Sequence, residues 1–100
     1  MLFRSSPDSG YGGWIGTQLP ASVKPNVMHK AGWIPAPEGF NTNNEIALIK
    51  TASGRDYAIA IATEGTDTFA HANKTIEYLS CVAYKLMDTP AVVNVTGCSL

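Results

Sequence analysis

Two runs, Glu45–Lys50 and Asp56–Thr63, constrain this chain more than any other stretch, because both alternate with a period of two while neither side of the alternation is clearly polar. Ile46 and Leu48 share one face and Ala47 and Ile49 the other. In the second run Tyr57, Ile59 and Ile61 point one way, and Ala58, Ala60 and Ala62 the other. Between them Ala52-Ser53-Gly54-Arg55 supplies the glycine that a tight hairpin connection needs for a positive φ. A sheet that is apolar on both sides has to be covered on both. The three-alanine face permits close approach of a helix, and the bulky face then needs a separate cover.

The chain offers one strong helix for this task. Phe69, Ala72, Ile76, Leu79, Ala83 and Leu86 recur at steps of three and four and predict one apolar stripe over Phe69–Met87, with Asn73, Lys74, Glu77 and Lys85 outside. Asp67 or Thr68 can cap its first turn. Upstream, Asn26 to Trp33 reads as a strand, with Val27, His29 and Ala31 on one face and Met28, Lys30 and Gly32 on the other. Ile34 to Asn44, with Pro35, Pro37 and Gly39, reads as a loop anchored by Phe40.

Residues 1–13 are rich in Ser, Gly and Pro and read as a flexible arm; Trp14 to Leu19 suits a short edge strand or a single turn, ended by Pro20. Residues 14–87 form the domain proper. The tail, 88–100, opens on Asp88-Thr89-Pro90 and carries a β-branched run, Ala91–Thr96, that suits an extra strand.

A chain of 100 residues makes one domain with a small core, yet 45% of it is hydrophobic and only 15% charged. Apolar surface is therefore expected to lie against another copy, as a homodimer or higher assembly with strands or arms exchanged. The net charge of −1 and the lack of a basic run exclude the footprint of a nucleic-acid or anionic-membrane binder. No apolar stretch is long enough to span a bilayer, and the N-terminus lacks the apolar core of a signal peptide, so the cytoplasm is expected. Cys81 and Cys98 lack metal-type spacing; they are free thiols, one disulfide or an interchain pair, and a reducing compartment favours free thiols.

The order of a His-Lys-Ala-Gly strand at residues 29–32, a loop, two strands and a helix resembles the C-terminal third of penicillin-recognising serine hydrolases of the class A β-lactamase type. The resemblance spans roughly Ile15 to Met87 and includes the apolar-proline turn at Leu19-Pro20. It implies an α+β fold: a roughly three- to five-stranded antiparallel sheet with one long helix in the C-terminal half packed on one face, a truncated β-lactamase-like domain. It also implies that Lys30 and Gly32 take the positions of the family's strand lysine and glycine, where the lysine helps bind a substrate carboxylate. Lys30 should then face the cleft and His29 the helix-covered side. Ala31 replaces the family's threonine and its hydroxyl. The Ser-x-x-Lys and Ser-x-Asn motifs of that family occur nowhere in the sequence, so its serine chemistry is not expected. Without a binding role, Lys30 is a surface lysine and Gly32 a point of close backbone approach.

Two further arrangements are open. Asp67 and His71 are four residues apart on one helix face, and with His29 they would form a set for zinc or manganese with a vacant position to activate water, the basis of a minimal metal-dependent hydrolase of phosphate or carboxylic esters. Assembly could instead bring His29, His71, Glu45, Asp56, Glu64 or Asp67 of different copies into a shared cleft lined by Trp14, Trp33, Phe40 or Tyr57, although such aromatics are more often core. The remaining reading is a binding module for small carboxylates through Lys30.

Overall fold

The computed structural model describes residues 4–5, 13–34, 42–65, 67–91 and 94–100. The sheet has four strands in the order β1 (Arg4–Ser5), β2 (Met28–Ile34), β3 (Thr42–Lys50) and β4 (Asp56–Thr63). β2, β3 and β4 are antiparallel neighbours, while β1 joins β2 in parallel, with Arg4 beside His29 and Ser5 beside Lys30. The expected flexible arm thus contributes a two-residue edge strand. Of the two options at Trp14–Leu19 the single turn forms, as α1 (Gly13–Gly16), and a 3-10 turn at Lys24–Asn26 leads into β2. The long helix, α2 (Phe69–Asp88), closes the α+β architecture.

Alternation decides what each strand residue meets. In β3, Asn43, Glu45, Ala47 and Ile49 are buried while Asn44, Ile46, Leu48 and Lys50 are exposed. The covered side is a core of Val27, Ala31, Ala47, Ile49 and Ile61 beneath Trp14, Ile15, Ile76 and Tyr84. Phe69 seals one end, its ring edge-on to Trp14 with centroids 6.0 Å apart.

The helix covers the bulky face, with Tyr57, Ile59 and Ile61, and leaves the alanine face open, the reverse of what close approach over Ala58, Ala60 and Ala62 suggested. Burial explains the choice, since branched and aromatic side chains remove far more apolar surface from water than three methyl groups. Hydrogen bonds fix the helix direction. The Tyr84 hydroxyl accepts from the Ala52 amide at 2.8 Å, the Asp88 carboxylate accepts from the Ser53 amide at 2.9 Å, and Asn73 bonds Asn43 at the start of β3. α2 therefore runs alongside β3 and ends at the hairpin turn, where Gly54 takes φ +92°.

The buried wedge of α2 is rotated from the expected stripe. Ala72, Ile76, Glu77, Ser80, Cys81 and Tyr84 face inward, whereas Leu79 and Leu86 are 44% and 45% exposed. The cause is α1, which packs on one flank of α2: the Ser80 hydroxyl donates to the Ile15 carbonyl at 2.7 Å and draws that flank in. Thr68, not Asp67, caps the helix by accepting from the His71 amide at 3.0 Å.

The expected tail strand does not form at Ala91 or along Asn94–Thr96; Val92 and Val93 lie outside the described residues, as does the expected Phe40 anchor. Cys81 and Cys98 form a disulfide, not free thiols. It pins the tail to α2, and Gln18 reinforces it, donating to the Ser99 carbonyl at 2.6 Å and accepting from the Ser99 amide at 2.9 Å.

With the two cysteines 17 residues apart, the cross-link is expected to contribute about 2–4 kcal/mol. Urea unfolding of Cys98→Ser followed by helical circular dichroism should show a loss of that size, and reductant should shift the wild type but not the variant.

Candidate functional site

The sheet divides the chemistry-bearing residues between its faces. On the covered side, Glu45 stands opposite Ala31, and His29 opposite Ala47, so the two ionisable side chains are diagonal neighbours on adjacent strands. His29 Nδ1 lies 2.7 Å from Glu45 Oε2, with both side chains essentially excluded from water. The other carboxylate oxygen accepts from the Ile15 amide at 2.8 Å, and the Trp14 amide also bonds this carboxylate. α1 thus hangs from Glu45 at one end of its turn and from Ser80 through the Ile15 carbonyl.

Gly13 makes this cradle possible. Its φ is +69°, and a Cβ there would collide with the Glu45 carboxylate and the His29 ring. Burial pushes the Glu45 carboxyl up to about 7, against the Ile15 and Trp14 amides, which hold it down.

The opposite side carries the strand lysine. Lys30 is exposed between Met28 and Gly32 and opposite Ile46, and its ammonium donates to the Ala31 carbonyl at 3.0 Å. Gly32 is not held by crowding, since a Cβ there would meet nothing within 4 Å among the described residues. Around Lys30, Met28 is 44% exposed and Ile46 and Leu48 are each 49% exposed. With Ala58, Ala60 and Ala62 they form an apolar surface that no described element covers.

At the start of α2, His71 Nδ1 and Asp67 Oδ1 are 2.7 Å apart and exposed. This hydrogen bond holds the Asp67 carboxyl below its ordinary range. His29 is not brought to this pair; it is committed to Glu45 in the core. Among the described residues no group of three or more His, Cys, Asp or Glu is placed to hold a metal ion. Of the other candidates for a shared cleft, Glu45 and Trp14 are buried, Tyr57 is half-buried, Glu64 is exposed, and Asp56 pairs with Lys50 at 3.5 Å. The side chain of Trp33 and all of Phe40 lie outside the described residues.

A sequence model of the Beta-lactamase enzyme family matches residues 13–87, from the turn that carries Gly13 to the last turn of α2. The chain belongs to the beta-lactamase enzyme family. The match takes in the Lys30 strand, the hairpin and the helix. No curated protein and no solved structure matches the chain. Among the described residues no helix is long and apolar enough to cross a membrane.

The His29–Glu45–Gly13 cluster was absent from the sequence-derived sites as a unit. Its signal was available: alternation puts His29 on the covered face, and the same parity puts Glu45 there with Ala47 and Ile49. Two ionisable residues at inward positions of neighbouring strands have to satisfy one another.

Because the folded Glu45 carboxyl takes up its proton at higher pH than the unfolded one, its contribution to stability is complete below about 4.5 and lost as pH rises through about 7. Glu45→Gln keeps an acceptor for the Ile15 amide and removes the titration. In chemical denaturation the variant should be the less stable protein at pH 5 and gain on the wild type by about 1–3 kcal/mol by pH 8. An unchanging difference would mean that Glu45 does not titrate in this window.

Proposed function

We propose that this chain is a self-associating β-lactamase-type half-domain whose open sheet face is closed by a second copy, and which lacks the family's serine chemistry in its own sequence. The observation that carries this reading is the exposed apolar face built from Met28, Ile46, Leu48 and the three alanines of β4. The strand register sets Leu48 beside Ala58 and Ile46 beside Ala60, so a bulky ridge on β3 runs next to a trough on β4. A groove of about 290 Å3 follows that step, lined by Ile46, Leu48, Ala58 and Ala60 among others. Such a surface is self-complementary: a twofold axis seats the ridge of each copy in the trough of the other. Lys50 and Asp56 form a charged rim beside the apolar centre, the usual anatomy of an interface.

Lys30 belongs to the same face, where its aliphatic stem can lie along the apolar surface while the ammonium stays on the Ala31 carbonyl. Carboxylate binding through Lys30 would therefore use the surface that assembly uses. The metal-dependent alternative draws support only from the Asp67–His71 pair, and its third ligand would have to come from another copy. The disulfide favours an oxidising compartment over the cytoplasm expected from the sequence.

Sedimentation velocity of the wild type and of Ile46→Glu/Leu48→Glu tests the reading. The double variant should be a smaller species than the wild type at equal micromolar concentration, with helical circular dichroism retained; identical species would contradict it. Mass spectrometry after incubation with a penicillin should show no covalent adduct, and an adduct would overturn the absence of serine chemistry.

A further inference from the structure

The free side of β4 is a second feature that the core does not use. β4 ends the sheet order, so among the described residues its outer row of backbone donors and acceptors has no strand partner. The strand is eight residues long, and from Tyr57 to Thr63 it contains no charge and no proline, the devices that usually blunt an exposed edge.

The helix above supplies an independent sign of what the edge receives. α1 packs against β2, β3 and α2, while α2 lies over β3 and β4. Ser80 bonds α1, and Cys81, about 100° round the helix from it, is tied through Cys98 and Ser99 to Gln18 beside α1, so Leu79, about 100° the other way, lies on the flank away from α1, the β4 side. Leu86 is two turns further along the same flank. Both leucines fall on the apolar stripe of the sequence, and both are left nearly half exposed by the fold of one copy. The helix therefore encodes a wider apolar stripe than its own sheet can bury.

We propose that β4 pairs edge to edge with the β4 of a second copy, antiparallel about a twofold axis perpendicular to the sheet. That operation continues the sheet across the junction and keeps α2 of both copies on one side. Leu79 and Leu86 of each helix then face their counterparts over the joined strands, which a free peptide strand laid on the edge would not provide. Asp56 and Glu64 lie at the ends of the contact, and Lys50 beside Asp56 offsets the charge there. The edge contact is independent of the face-to-face contact proposed above. Face and edge contacts use different axes, so a protein that makes both assembles beyond a dimer.

The test uses the full chain with face and edge blocked in turn. By sedimentation velocity the wild type should be larger than a dimer, Ile46→Glu/Leu48→Glu a dimer, and that variant with Leu79→Glu and Leu86→Glu added a monomer. A monomeric Ile46→Glu/Leu48→Glu protein overturns the edge contact and leaves the face contact standing. A wild type no larger than that variant overturns the face contact alone. Hydrogen exchange of the wild type supplies a measurement that no substitution can confound. Every amide of β4 should be protected in the assembled protein, and free exchange at alternate β4 positions would overturn the edge pairing.

Discussion

A sheet with hydrocarbon on both sides and a single layer to cover it is the constraint on which this protein depends. Strand alternation sends Glu45, Ala47, Ile49 and Ile61 to the side of α1 and α2, and sends Met28, Ile46, Leu48 and three alanines to the side that the described chain leaves in water. The covering layer goes to the bulkier face because more apolar surface is removed from solvent there. The remaining face carries the Ile46 and Leu48 ridge beside the alanines of β4.

The covered side is held by few polar links, each spanning two elements. Glu45 ties α1 to β3, Ser80 ties α1 to α2, Tyr84 and Asp88 tie α2 to the hairpin turn, and the disulfide ties the tail to α2. The strand that buries His29 exposes Lys30 one residue later. Lys30 thus falls on the face proposed for assembly, and carboxylate binding through it and self-association would share one surface.

Much of the fold was legible from residue periodicity. β3 from Glu45 onward, β4, the Gly54 turn and the extent of α2 follow from local patterns, whereas Thr42–Asn44, expected as loop, extend β3 because they pair with β2 and β4. The features that were not legible come from contacts between distant segments. The rotation of α2 that exposes Leu79 and Leu86 depends on α1, whose single turn carries too few residues to show a period. The His29–Glu45 pair depends on strand register, and Gly13 owes its place to a carboxylate thirty-two positions later in the chain. Spacing alone left the state of Cys81 and Cys98 open, because the tail's return to α2 is set by Gln18 and by packing rather than by the cysteines' neighbours.

The central claim is that the open face is buried in the working protein, and Met28 reports on it directly. Its side chain is 44% exposed in one copy and lies beside Leu48 on that face. Peroxide oxidation of Met28, followed by peptide mass spectrometry over a dilution series, should be slow at micromolar protein and accelerate as the protein is diluted. Rapid oxidation at every concentration would mean that the face stays in water, and would contradict the account.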